Sequence, residues 1–221
     1  MHNHMRMYVA SIATNIAKSH WKIPARWMYY HLLDGDWASN ALSWQWVAGS
    51  NSNKKYYANQ DNINKYFNSN QKNTFLDNSY EFISSMNIPN EVEEKYDLDL
   101  HSNLQNNKEI RVDNSLPTLI YNYYNIDPNW RKDEKVNRVL IFEPRVFAEY
   151  PVSQKCVDFS LNLSKNIKDI QIFYGNFEEF CSRYNVPNLI FKEHPLNKHY
   201  SGLEDQRDWL FKIEGEYLSF F

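Results

Sequence analysis

The stretch Asp34-Gly35-Asp36-Trp37-Ala38-Ser39-Asn40-Ala41-Leu42-Ser43-Trp44-Gln45-Trp46 decides how the N-terminal part of this chain is read. Asp36 stands where a helix should begin, because a carboxylate there satisfies free first-turn amides and the positive end of the helix. From Asp36 the helix is predicted to run through Trp46 and Val47. That places Asn40 one turn past Asp36, and Trp44 a further turn along the same side. Upstream, Met5, Val9, Ile12 and Ile16 recur at spacings of four, three and four, with Ala10, Ala13 and Ala17 thickening the stripe, so Met5 to His20 reads as a helix. Pro24 is tolerated in a first turn, and Ala25 to Leu33 reads as a second helix that ends near Asp34-Gly35. Three helices joined by very short connections make a bundle.

Beyond the bundle, Gly49 to Asp77 reads as an ordered loop with one helical turn, and Asn78 to Met86 as a short helix before Pro89. Residues 90–135 are polar, acid-rich from Glu91 to Asp99 and interrupted by Pro117 and Pro128, and read as a linker. The period then changes. Arg138 to Phe142, Ile170 to Phe173 and Asn188 to Phe191 are buried-strand candidates, separated by helical spacing at Val152, Cys156, Phe159 and Leu163 and from Phe177 to Tyr184. Alternation of strand and helix with short links predicts a small α/β unit with a short parallel sheet. Trp209-Leu210-Phe211 and Tyr217 to Phe221 are candidates to cover it. The expected order is a mainly α N-terminal helical bundle over 1–89, a linker over 90–135 and an α/β domain over 136–221.

Composition narrows the class. Aromatic residues at 16% and charged residues at 23% describe a globular chain. A net charge of -3 gives no overall attraction to nucleic acid, so DNA binding would need a local basic patch. Cys156 and Cys181 form no CxxC, and a reducing, cytoplasmic setting is expected. No run approaches the roughly 20 apolar residues that span a bilayer, so no membrane association is expected. His2, His4, His20 and His31 lack metal-ligand spacing with a carboxylate, and no metal site is expected. Gly175 and Gly202 stand alone, outside any phosphate-binding Gly-rich loop.

The candidate chemistry lies in the bundle. Asn3 and Arg6 are three residues apart and share a helical face, with Met7 adjoining. Arg6 needs a carboxylate, which Asp34 or Asp36 can supply, while backbone groups around Gly35 are expected to stay free for a planar heterocycle. The Asn40 amide both donates and accepts, which suits a flavin N5 whose protonation follows its redox state. Trp44 and Trp21 are candidates to relay single electrons. Taken singly, Trp21, Trp44 and Trp46 read as core aromatics, and the alternative for Arg6 with Asp34 is a buried structural ion pair.

Together these residues resemble a known family. Met1-His2-Asn3-His4-Met5-Arg6-Met7, Trp21, Asp34-Gly35-Asp36 with Asn40, and Trp44-Gln45-Trp46 are similar in order and spacing to the FAD-binding helical domain of the photolyase/cryptochrome family. The resemblance covers roughly the first 80 residues, with Tyr56 to Asn62 a looser echo. It implies FAD as cofactor, contacted by Asn3, Arg6, Asp34, Gly35, Asp36 and Asn40. Arg6 and Asp34 would pair beside the isoalloxazine, Asp36 would sit at its polar edge and Asn40 would face N5. Trp44 would be the flavin-proximal relay tryptophan and Trp21 the middle one, while Asn3 and Met7 would lie near a lesion in damaged DNA. The His pair of (6-4) enzymes does not occur at Asn3 and Met7, which implies the cyclobutane-dimer type.

In that family the antenna domain, the segment gripping the FAD phosphates and the outermost relay tryptophan precede the part represented here. A longer native chain or a separate chain supplying the N-terminal half is therefore expected. The implied activity is light-driven electron transfer from reduced FAD for repair of pyrimidine dimers in DNA. The alternatives are a non-catalytic partner module that retains the helical core and a flavin-based redox or light sensor without repair.

Overall fold

The computed structural model describes residues 1–105 and 109–208. The chain divides into two compact units, Met1–Asn103 with Phe147–Phe159, and Leu104–Val146 with the chain from Ser160 onward.

The first unit is helical. Its first helix, α1 (Asn3–Ser11), passes into a wider turn at Ile12–Ile16, where the Ala17 amide donates to the Ile12 carbonyl five residues back. The apolar stripe predicts one regular helix to His20, yet the chain leaves it at Lys18, whose φ is 56°. Buried polar side chains account for the widened turn. Asn15 Nδ2 donates to the carbonyls of Val47 and Tyr56, and Ser11 Oγ donates to Tyr56 and accepts from the Ala58 amide. These groups need inward positions that an uninterrupted 3.6-residue period would not give to both.

Next come α2 (Lys22–His31) and α3 (Trp37–Ala48). Asp36 caps α3 as its sequence position predicts, Oδ1 accepting from the Ser39 amide at 2.7 Å. Gly49 ends the helix at φ 70°, a left-handed conformation that glycine adopts without steric cost. Ala10, Ala25, Met28, Leu32, Trp44 and Val47 form the core between these helices. The stretch expected to hold one helical turn contains α4 (Gln60–Phe67), capped by the Asn59 side chain, and α5 (Tyr80–Ser85) follows with Ser79 as its cap.

The second unit is built on a five-stranded parallel sheet of order β3-β2-β1-β4-β5. Its strands are β1 (Thr118–Tyr121), β2 (Asn137–Phe142), β3 (Ile170–Tyr174), β4 (Leu189–Lys192) and β5 (Leu203–Asp205). The three candidate strands appear as β2, β3 and β4. The linker reading of 90–135 is corrected, since that stretch carries β1, the central strand of the sheet. Thr118-Leu119-Ile120-Tyr121 is buried on both faces, as a central parallel strand must be. β5 is an exposed edge strand tied down by Arg131, which donates to Asp205 from Nε at 2.7 Å and from Nη2 at 3.0 Å.

The chain between β2 and β3 forms α6 (Pro144–Glu149) and α7 (Gln154–Ser164), and α8 (Phe177–Tyr184) joins β3 to β4. Ile120, Val139, Ile141, Phe173, Phe180 and Phe191 lead the core of this unit. The aromatic residues expected to cover the sheet, Trp209 to Phe211 and Tyr217 to Phe221, lie outside the described residues. Among the described residues no helix is long and apolar enough to cross a membrane.

Candidate functional site

α1 and α3 pack side by side and place five of the predicted site residues around one cavity of about 70 Å³. Asn3, Arg6 and Met7 come from α1, and Asn40 and Trp44 from α3. Helical periodicity makes this arrangement, since Arg6 and Met7 lie three and four residues after Asn3 on α1 and Trp44 lies four after Asn40 on α3. Ala10, Ser39, Ser43 and Val47 complete the lining. Three of these carry a signal in the sequence as well, because Ser39, Ser43 and Val47 recur at four-residue spacing, the two serines each one position before Asn40 and Trp44.

Arg6 Nη2 donates to both oxygens of Asp34, at 2.9 and 2.7 Å, and Nε donates to the Met1 carbonyl at 3.0 Å. Of the two candidate carboxylates, Asp34 is thus the one that pairs. Asp36 is occupied in capping α3, and Asp36→Ala is expected to cost the first unit about 1 kcal/mol in urea unfolding while leaving the Arg6–Asp34 pair intact.

The guanidinium holds the Asp34 carboxyl below its ordinary range. A depressed folded-state pKa contributes stability above the unfolded value, near about 4, and that contribution is lost as pH falls through the folded value. At 68% side-chain exposure of Asp34 the contribution is small. Carboxyl titration by NMR is expected to return Asp34 to its ordinary range in Arg6→Gln, and an unmoved titration would remove the guanidinium as the cause.

The amide of Asn40 is fixed from behind. Its Nδ2 donates to the buried carbonyl of Ala25 at 2.9 Å, so Oδ1 is the atom available as an acceptor on the cavity side. Asn3 Nδ2 lies 3.9 Å from Met7 Sδ, which joins the two residues on the α1 wall. Trp44 is 1% exposed and closes the cavity from the core side.

Four predicted residues stand apart from the cavity lining, one of them Asp36 at the cap of α3. Asp34 reaches it only through Arg6. Trp21 is half-buried, packs on the same core as Trp44 and stacks on His20 at 5.8 Å. The expectation that backbone groups around Gly35 stay free is corrected for its amide, which donates to the Leu32 carbonyl at 3.2 Å and closes the turn between α2 and α3. A Cβ at Gly35 would sit 3.1 Å from that same carbonyl oxygen, which is why a residue without a side chain stands there.

The cavity suits one polar edge of a planar heterocycle. A guanidinium, two side-chain amides and two hydroxyls face it, and an indole backs it. Pockets that enclose a whole cofactor run to about 300–1,000 Å³, so these walls meet an edge and not the entire group.

Fold and site together define a helical cofactor-binding domain and, as a separate unit of the same chain, a parallel α/β sheet. The chain belongs to the family of the FAD-binding domain of DNA photolyase, whose model matches residues 1–125. It is similar to the deoxyribodipyrimidine photo-lyase of Agrobacterium fabrum, 48% identical over 50 residues, or 23% of this chain and 10% of that protein. It is also similar to the enzyme of the same name from Streptomyces griseus, 44% identical over 55 residues, covering 25% of this chain and 12% of the relative. The match to the Buchnera aphidicola deoxyribodipyrimidine photo-lyase is longer, 29% identical over 122 residues, 55% of this chain and 24% of that protein. This chain therefore spans between a tenth and a quarter of the length of these relatives. No solved structure matches.

Proposed function

We propose that this chain supplies the isoalloxazine-facing part of a photolyase flavin site and works in light-driven repair of pyrimidine dimers in DNA. The observation that carries this reading is the cavity between α1 and α3, where Arg6, held by Asp34, faces Asn40 and Trp44. FAD, when bound, supplies the light-driven single-electron chemistry. Arg6 orients the polar edge of the ring, and Asp34 neutralises Arg6 so that the site does not present an unpaired cation. Asp36 contributes by fixing the start of α3, and Gly35 by letting the α2–α3 turn close tightly. Asn40 Oδ1 would accept from a protonated flavin N5, because its amide nitrogen donates to the Ala25 carbonyl. Trp44 would be the first electron donor and Trp21 the next, Trp44 buried in the apolar core and Trp21 packed against it.

Asn3 and Met7 stand at the cavity wall, where the substrate end of the site would begin. Damaged DNA is the proposed partner, and a longer chain or a separate one supplies the segment that grips the adenine and phosphates. The small cavity volume favours this assembly over retention of the cofactor by these residues alone.

The test is reconstitution. The purified chain is mixed with FAD and with the N-terminal half of a related photolyase, and visible absorbance and repair of a dimer-containing oligonucleotide under light are measured. A flavin band with repair is expected. Trp44→Phe is expected to lose photoreduction by at least tenfold while keeping the band, and Asn40→Ala to lose repair. A flavin band with no repair in any combination would leave a redox or light-sensing protein, and no band at all would leave a partner module.

A further inference from the structure

A second cavity of the first unit, about 140 Å³, lies between α2, the start of α3 and the segment Glu149–Pro151. Its walls are aromatic. Tyr29 and Trp37 meet edge to face with ring centroids 5.7 Å apart, and Trp37 and Tyr150 are 6.2 Å apart and tilted. Lys22 and Arg26, one turn apart on α2, line the same cavity, and both are exposed. Neither enters an ion pair among the described residues. Arg26 Nη2 instead donates to a backbone carbonyl, that of Glu149, at 3.3 Å. The Glu149 carboxylate acts on the neighbouring Tyr150, whose phenol it holds above its ordinary range by hydrogen bonding. The pocket thus pairs aromatic walls with two cations and one occupied carboxylate.

We propose that this cavity binds a single aromatic ring carrying a phosphate, with the ring against the exposed faces and edges of Trp37 and Tyr150 and the phosphate at Lys22 and Arg26. Size sets the first part. An apolar cavity of about 150 Å³ accommodates one benzene-sized ring, and aromatic walls receive a flat ring by stacking or edge contact. Charge sets the second. A guanidinium fork beside an ammonium on adjacent turns converges on one tetrahedral dianion, and two unpaired cations at the same cavity turn away the cationic ligands that aromatic cages otherwise accept. Two sources share this chemistry, a pyrimidine mononucleotide and a simple aryl phosphate. Nothing in this assignment depends on the α1–α3 cavity, which shares no lining residue with it.

Isothermal titration of the whole chain with dTMP, phenyl phosphate, thymidine and inorganic phosphate tests it. The two compounds that carry both ring and phosphate are expected to bind at least tenfold tighter than thymidine or phosphate alone. A preference for dTMP over phenyl phosphate assigns the nucleotide as source, and equal binding assigns the aryl phosphate chemistry alone. Trp37→Leu and the double variant Lys22→Gln/Arg26→Gln should each weaken binding by tenfold or more, with circular dichroism showing that the helices persist. Glu149→Gln should tighten binding severalfold by removing the one negative charge at the cavity. Equal affinity for all four probes, no heat at millimolar dTMP, or full binding in the folded double variant would overturn the assignment.

Discussion

Trp44→Ala is expected to destabilise the first unit by about 3–5 kcal/mol, the range for deleting a buried aromatic side chain. Trp44 is 1% exposed and lies among Ala10, Ala25, Met28, Leu32 and Val47, apolar neighbours contributed by all three helices. Helices capped at Asp36 and Gly49 and joined by the tight Gly35 turn have little freedom to collapse into the space left behind, so most of the cavity cost should remain. Against a total stability of about 5–15 kcal/mol for a domain, a loss of that size threatens the fold itself. Hydrogen exchange read separately on α1, α2 and α3 would show it, with all three helices losing protection together. If only α3 loosened, Trp44 would be a local filler and not the keystone of the bundle. The same residue is the proposed first electron donor, which is why Trp44→Phe, and not Trp44→Ala, separates the redox role from the packing role.

Much of this site is legible before any coordinates are considered. Asp36 as a helix cap, Arg6 with Asp34, and Asn40 with Trp44 on one face all follow from local rules that act over one or two turns. The widened turn after Ser11 does not, because it answers to Asn15 and Ser11 finding carbonyl partners more than 30 residues away, at Val47 and Tyr56. β1 escapes for a related reason. Thr118 to Tyr121 is a four-residue strand behind Pro117, too short to show a period, and its place at the centre of the sheet comes from pairing with β2 and β4, both later in the chain. β5 is less legible still, since Leu203-Glu204-Asp205 has no apolar run and is held at the edge by the Arg131–Asp205 contact across 74 residues. His199, in a polar segment after β4, meets a buried carboxylate within the unit. In each case the deciding partner is distant in sequence.

That carboxylate is Glu143, and Glu143→Ala is expected to cost the second unit about 2–6 kcal/mol, the sum of two buried donors left unsatisfied at about 1–3 kcal/mol each. Glu143 directly follows β2 and is 5% exposed. Its Oε1 accepts from the Phe177 amide at 3.0 Å and from Arg145 Nη2 at 3.0 Å and lies 3.2 Å from His199 Nε2, while Oε2 accepts from the Tyr200 hydroxyl at 3.0 Å. Arg145 and His199 keep access to water and can re-pair with it. The Phe177 amide, in the first turn of α8, and the Tyr200 hydroxyl cannot, since those residues are 2% and 8% exposed and stack on each other at 4.1 Å. Burial and the neighbouring carboxylate already push the Tyr200 hydroxyl far above its usual range, so it stays a donor at any pH the fold tolerates. A carboxylate at the start of α8 also complements the positive end of that helix. Glu143→Gln retains an acceptor oxygen and should lose markedly less, which separates hydrogen bonding from charge. Protection of the α8 amides against hydrogen exchange, unchanged in Glu143→Ala, would show that the Asn176–Glu179 capping box holds α8 in place by itself and that Glu143 anchors only the Lys198–Tyr200 segment.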